Sequence, residues 1–258
     1  MAKTILIANH KGGVGKTQTA FELLYYLATR GYKVLGVDID HQSHLTFQLT
    51  EGMMGTTRKR CLPEILISGD ELNASDISTR IINGYHIDFV ESSMAAGRIE
   101  KRLSDDTPKE YALKDCLSKV QTLYDYIIID APPSAELLGI CALVASDFLL
   151  IPAMPTLLSN IGIQTLTAIS TRVQQHPRMN PHLKILGVIV TMYERTIDSQ
   201  QAIALIQNSF QETLLRPFVR KCVKVREANK LYLPVQSYAP TSTSAIDYTT
   251  VFDNLINR

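Results

Sequence analysis

Thr4-Ile5-Leu6-Ile7-Ala8-Asn9-His10-Lys11-Gly12-Gly13-Val14-Gly15-Lys16-Thr17 is the stretch on which the reading of this chain turns. Thr4 to Ala8 is a short, β-branched apolar run of the kind that forms a strand covered on both faces of a sheet. A loop with three glycines follows it and leads straight into Lys16-Thr17. Ala20, Leu23, Leu24, Leu27 and Ala28 then fall on one face of a helix that ends near Arg30-Gly31. In this setting backbone N–H groups turn inward around phosphate oxygens and the positive end of the helix faces them. Gly12, Gly13, Val14, Gly15, Lys16, Thr17 and Gln18 are therefore candidate nucleotide-binding residues. Lys16 is expected on the outer phosphates, and Thr17 is expected to place its hydroxyl on Mg²⁺.

Outward from this stretch, Val34 to Val37, Ile87 to Val90, Tyr126 to Ile129, Phe148 to Ile151 and Ile185 to Val190 read as further strands between helical patterns. Several are apolar throughout, as in a parallel sheet with helices on both faces. The expected fold class is α/β: a doubly wound, mostly parallel sheet flanked by helices, as one domain over residues 1–258. Glu51 to Lys119 reads as loops and small helices around one strand, with Met53-Met54-Gly55, Arg58-Lys59-Arg60 and Ser104-Asp105-Asp106-Thr107-Pro108 as its irregular parts. Ser244 to Ile256 reads as a closing helix with Ile246, Val251, Leu255 and Ile256 available for burial.

A formal net charge of +1 over 258 residues gives no chain-wide pull toward nucleic acid or membrane, so any polyanion partner has to be met by a local patch. The apolar run after Met1 is too short for a signal peptide, and no stretch approaches the roughly 18 apolar residues of a spanning helix; a cytoplasmic protein is expected. Cys61, Cys116, Cys141 and Cys222 are scattered without a C-x-x-C pair, which argues against a disulfide framework or a cysteine zinc site. His41 and His44 lie three apart and invite a transition-metal reading, but no cysteine or further histidine stands near them, and a mobile switch loop suits them better.

The ordinary phosphate loop, G-x-x-x-x-G-K-T, would have glycine at position 10, where this chain has His10 followed by Lys11. Lys11 puts a second positive charge at the mouth of the loop. It either floats in solvent or reaches a phosphate that its own loop does not enclose.

Lys11-Gly12-Gly13-Val14-Gly15-Lys16-Thr17 resembles the deviant Walker A box of the ParA/MinD family of dimerising ATPases, with Lys11 at the signature lysine. The resemblance implies that Lys11 crosses a two-fold interface to the partner's nucleotide, a cationic finger delivered only when two subunits meet. Asp38-Ile39-Asp40-His41-Gln42 resembles the family's D-x-D-P-Q segment, with His41 where proline is usual. That likeness implies Asp38 as a support for Mg²⁺ and Asp40 as the group that orients or deprotonates the attacking water; the two side chains point the same way only if the strand continues through both. Asp130-Ala131-Pro132-Pro133 resembles the Walker B segment and implies Asp130 in the Mg²⁺ water shell. Gly187 to Tyr193 resembles the strand whose end helps form the base pocket, which makes Met192 a candidate nucleotide contact. Gln18 stands where a second threonine is common, Arg220 where a proline often borders the adenine, and Tyr232 where glycine is usual.

Residues 216–230 hold six basic side chains and one acidic one, and ParA-like members use this region for a non-specific DNA surface. Arg220, Lys221, Lys224 and Arg226 are the candidate phosphate contacts; the other reading is a solvated charged face. The resemblance thus implies a nucleoid-associated, ParA-like ATPase with ATP and Mg²⁺ as cofactors. It would close into a homodimer on ATP, bind DNA non-specifically and be stimulated by an adaptor protein on a cargo, whether a plasmid or chromosome locus or a protein body such as the carboxysome. A MinD-like membrane-cycling ATPase is the alternative, but Asp247 to Arg258 carries one basic residue where a lysine-rich amphipathic helix would be needed, so no membrane partner is expected. A relative of the nitrogenase iron protein would need two placed cluster cysteines per subunit, which these four do not supply. No room is expected before the first strand for an added DNA-reading domain.

Overall fold

The structure is a computed structural model that describes residues 1–55, 59–93, 108–133 and 137–256. Arg58, the Ser104–Thr107 stretch, Asn257 and Arg258 lie outside the described residues.

A seven-stranded sheet organises the chain in the order β3-β4-β2-β5-β1-β6-β7. Its strands are β1 (Lys3–Ile7), β2 (Val34–Asp38), β3 (Ser78–Ile82), β4 (Tyr85–Val90), β5 (Tyr126–Asp130), β6 (Phe148–Ala153) and β7 (Lys184–Val190). All neighbours are parallel except β3 and β4, which pair antiparallel. Strands alternate their side chains between two faces, so β1 sends Ile5 and Ile7 into one apolar layer and Leu6 into the other. Each of these three is fully buried and worth roughly 1.5–3 kcal/mol, which fixes the central strand from both sides.

The first layer packs under α1 (Lys16–Thr29), α2 (His44–Leu49), α8 (Val223–Lys230), α9 (Val235–Tyr238) and α10 (Thr243–Ile256). The second packs under α3 (Leu62–Ser68), α4 (Ala112–Leu117), α5 (Leu137–Ala145), α6 (Leu157–Gln175) and α7 (Ile197–Phe210). Helices on both faces make the sheet doubly wound, as the sequence predicts.

The expected one strand between Glu51 and Lys119 is in fact a hairpin of two. Asn83 and Gly84 turn it with φ of 50° and 84°, the paired left-handed residues of a tight type I′ turn. β3 carries Arg80 on its buried side and the exposed Ile81 on its outer side, the reverse of the usual alternation. An inward charge is one of the devices that keep an edge strand from pairing with another chain. Val251 and Leu255 of α10 are buried as expected, but Ile246 is 49% exposed and lies on the outer face. None of the four cysteines forms a disulfide, and Cys116 and Cys141 lie in the core.

Glu22, in the middle of α1, is fully buried, and burial pushes its carboxyl up to about 7 against the pull of the donors around it. A carboxyl raised in the folded state stabilises the protein most below its unfolded value of 4.5, and that contribution is lost as pH rises through about 7. Wild type should therefore lose about 3 kcal/mol relative to Glu22→Gln between pH 4.5 and pH 8, read from urea unfolding of both proteins. Parallel pH profiles would contradict this.

Candidate functional site

The parallel register brings Ile7 beside Asp130 and Asp130 beside Asp38, so the ends of β1, β5 and β2 open on one crevice. Open α/β sheets bind ligands at such carboxyl ends. The glycine-rich loop leaves β1 there. Gly13 and Gly15 take φ of 72° and 82°, left-handed values that glycine adopts without cost. Gly15 also begins α1, whose N-terminus has no side-chain cap and no acidic residue in its first turn. Its free amide end is left for an anion. Thr191, just past β7, donates its hydroxyl to the Val14 carbonyl at 2.8 Å and anchors the loop from the other side. Met192 stands beside Gly15 with φ 52°, its Cε 3.6 Å from where a side chain at Gly15 would begin.

Lys16 is buried in this loop, its Nζ 3.4 Å from the Lys11 carbonyl. Desolvation lowers its pKa, and the charges of Asp130 and Asp40 oppose that shift. The carboxylates divide sharply. Asp38 Oδ2 accepts the Thr46 N–H and hydroxyl at 2.8 and 2.9 Å, and Oδ1 accepts the Asp40 N–H at 3.1 Å. Asp38 thus ties the turn after β2 to the start of α2. Asp130 is fully buried, and neither of its oxygens has a partner at ordinary hydrogen-bond geometry among the described residues, the Thr17 hydroxyl acting on it only as a looser donor. Burial, and after it the Asp38 charge, pushes Asp130 well above the usual carboxylate range, with the Thr17 hydroxyl and Lys16 pulling it down. Asp38 is likewise raised by burial.

An orphaned buried carboxylate beside a buried lysine and the Thr17 hydroxyl is a fit for a divalent cation held at a phosphate. Among the described residues no group of three or more His, Cys, Asp or Glu is placed to hold a metal ion unaided. Mg²⁺ is commonly bound in that partial way, through one or two protein oxygens, water and phosphate.

β2 ends at Asp38, so Asp40 lies in the following turn rather than on a continuing strand. Its side chain is buried, with Oδ1 accepting the Gln42 N–H at 2.9 Å. His41 Nδ1 lies 3.5 Å from the same oxygen.

Lys11 leaves its own loop. Its Nζ donates to Thr156 Oγ1 at 3.0 Å, at the cap of α6, and Thr156 bonds Ser159 Oγ at 2.8 Å. Its backbone N–H is held by Asn9 Oδ1 at 3.0 Å, and Asn9 Nδ2 bonds the Pro152 carbonyl at 2.7 Å. Beyond Thr156, Leu157, Leu158 and Ile161 are 59%, 65% and 60% exposed.

The cationic candidates gather around the start of α8, mostly in ion pairs. Arg220 grips Asp247 of α10 with Nε and Nη2 at 2.7 and 2.8 Å. Lys221 pairs with Glu194 at 3.0 Å and Lys224 with Glu227 at 2.6 Å, both in the open. Arg226 and Lys230 have no carboxylate at ion-pair distance among the described residues.

Asn9, Thr46 and Thr156 are the residues that sequence reading missed. Asn9 and Thr156 bond across 143 and 145 residues, and Thr46 reaches back across eight to Asp38, so no adjacent residue marks their roles. Tyr232 keeps a left-handed φ of 54° where glycine is usual, and its ring packs edge-on against Phe47 with centroids 5.4 Å apart.

Uncapped helix, glycine loop, buried lysine and orphaned aspartate define the class: a P-loop nucleotide-binding protein. Residues 2–185 match the AAA domain family. The chain is 36% identical to the sporulation initiation inhibitor protein Soj of Bacillus subtilis over 251 residues, covering 96% of each chain. It is 27% identical to cobyrinic acid a,c-diamide synthase of Mycobacterium smegmatis, solved with an ATP analogue and magnesium, with a TM-score of 0.85 over 100% of this chain and 95% of that one. An ATP complex of McdA from Cyanothece shares the fold at 24% identity, with a TM-score of 0.87 over 99% of this chain and 96% of the other. The chain belongs to the ParA/MinD-like family of P-loop ATPases.

Proposed function

We propose that this chain is an ATP-timed dimer switch of the ParA-like type, which binds DNA non-specifically as a dimer and positions a cargo. The observation that carries the reading is Lys11: its amine sits on Thr156, outside the loop that would hold its own nucleotide, beside exposed Leu157, Leu158 and Ile161. A cation at the edge of an apolar patch suits a surface that meets a second copy, and Lys11 then completes the partner's phosphate site.

The proposed roles follow the geometry. Gly12, Gly13, Val14 and Gly15 cradle the phosphates with the α1 amides, while Gln18 and Met192 flank the nucleotide. Lys16 holds the outer phosphates, and Thr17 would hold Mg²⁺ with Asp38 and Asp130 supporting its water shell, the cation neutralising phosphate charge. Asp38 keeps the Asp40 turn in place through Thr46, and Asp40 orients the attacking water. ATP and Mg²⁺ are supported by the fit of Asp130 and by the ATP analogue and magnesium in the cobyrinic acid synthase structure.

Lys221, Lys224 and Arg226 are the proposed DNA contacts, with Arg220 at their edge, its head committed to Asp247. Exposed ion pairs like those of Lys221 and Lys224 hold weakly and exchange readily for phosphate. The proposed partners are a second copy, non-specific DNA and an adaptor protein on the cargo that stimulates hydrolysis; the proposed location is the nucleoid. No helix among the described residues is long and apolar enough to cross a membrane.

Co-sedimentation with DNA and with anionic liposomes, each with and without ATP, tests the reading. DNA binding that requires ATP is expected; ATP-dependent binding to liposomes but not to DNA would overturn it in favour of a membrane-cycling ATPase. Replacing Lys221 and Lys224 together by alanine should lower DNA affinity and reduce the slope of log K against log salt by about 2 per subunit, about 4 for the dimer, with nucleotide binding intact. An unchanged slope would move the DNA surface elsewhere.

A further inference from the structure

Gln18 follows the loop threonine directly, and its side-chain amide does not stay in the loop. Its Nε2 donates to Glu22 Oε1 at 2.6 Å, one turn along α1. The same oxygen accepts the Val235 N–H at 2.6 Å, and Oε2 accepts the Gln236 N–H at 3.3 Å. Gln236 Nε2 returns to the Glu22 carbonyl at 3.3 Å. A fully buried carboxylate has no water to replace a lost donor, so these bonds fix where α9 begins. At the far end of α9, Tyr238 Oη meets Glu227 Oε2 at 3.1 Å, and that oxygen accepts Lys224 Nζ at 2.6 Å. One unbroken polar path therefore runs from the residue after Thr17, through a buried carboxylate and a four-residue helix, to a cation of the proposed DNA face.

We propose that Glu22 is the positioning residue through which occupancy of the phosphate loop sets α9, and through Tyr238 and Glu227 sets Lys224, so that nucleotide and DNA sites are linked within one subunit. The DNA half of this inference rests on the function proposed above. Gln18 has a single amide group to donate. While it braces Glu22, Oε1 has two donors and Oε2 one; when phosphate draws it back to the loop, each oxygen keeps a single backbone donor from α9. The buried carboxyl must then shift its backbone partners or take up a proton. Groups that face it are Gln18 on its own helix, the Val235 and Gln236 N–H groups of α9, and Tyr248 of α10, whose hydroxyl is raised by burial and by the Glu22 charge. No cation pairs with Glu22 among the described residues, so a lost donor is not compensated by charge. A path of contacts becomes coupling only when both ends bias it, which makes the test a linkage measurement.

Hydrogen exchange of the purified chain, with and without Mg²⁺ and a non-hydrolysable ATP analogue, reads the first half without DNA. The analogue should change exchange of the Val235–Tyr238 amides by about fivefold or more in wild type, and Glu22→Gln should abolish that change while still binding the analogue. Gln18→Leu, which breaks the first link and spares the backbone partners of Glu22, should abolish it as well when compared at an analogue concentration shown by titration to saturate the variant, and covers the case of an unfolded Glu22 variant. Unchanged exchange at α9 in wild type, or a wild-type response in either variant, would overturn the inference. For the second half, Tyr238→Phe should keep the exchange response but cut the ATP dependence of DNA affinity by about fivefold. Wild-type dependence in that variant would overturn the link to Lys224. Absence of ATP-dependent DNA binding in wild type would instead sink the DNA reading and the link to Lys224 with it, leaving the loop-to-α9 link judged by exchange alone.

Discussion

Lys11→Ala is expected to lower ATP hydrolysis by about 10³-fold, the size of effect seen when a cationic finger is withdrawn, while nucleotide affinity of the isolated subunit stays within about threefold. The split follows from where the amine sits. Lys16 is buried within the loop, whereas Lys11 Nζ is bonded to Thr156 at the cap of α6. Removing Lys11 costs the subunit one bond to a threonine; in the proposed dimer it would also take a positive charge from the partner's phosphates. Steady-state phosphate release and nucleotide titration check the two halves. Hydrolysis within tenfold of wild type, with ATP-dependent dimers intact, would return Lys11 to an ordinary surface lysine.

Asp130→Asn should act in two opposite directions. Asp130 is a buried carboxylate with no partner at ordinary hydrogen-bond geometry among the described residues, so its ionised form, offset only in part by Lys16 and Thr17, is costly in the absence of Mg²⁺. The neutral amide should raise the stability of the nucleotide-free protein at pH 8 by about 1–3 kcal/mol. The same change should abolish stabilisation by Mg²⁺ with ADP and lower hydrolysis by at least about 10²-fold. Thermal unfolding with and without Mg²⁺ and ADP measures both. A variant that is less stable without ligand, or that keeps its Mg²⁺ response, would contradict the role given to this residue.

The phosphate loop was legible in the sequence because it is local: strand, glycines, lysine, threonine and helix are adjacent, and their chemistry depends on that adjacency. The six strands named from apolar runs all exist, since a strand buried on both faces announces itself by composition alone. β3 does not, because it is an edge strand with a buried arginine and an exposed isoleucine, although Asn83-Gly84 was a hairpin signal in plain view. Ile246 shows the opposite limit, an apolar residue on a helix face that the fold leaves outside. The side chains that tune the site were invisible for a different reason. Thr46 on Asp38, Thr156 on Lys11 and Val235 on Glu22 are contacts across 8, 145 and 213 residues, and only the assembled sheet brings the distant ones together. The cationic stretch was legible as charge, but its pairing with Glu194, Glu227 and Asp247 was not, because two of those partners lie on other elements.

The most direct test of an ATP-timed dimer is the sedimentation of the purified chain with Mg²⁺ and a non-hydrolysable ATP analogue, compared with Mg²⁺ and ADP. Two copies should move together with the analogue and separate with ADP, and Lys11→Ala should stay monomeric in both. A monomer in every condition, or a dimer indifferent to the nucleotide, would contradict it.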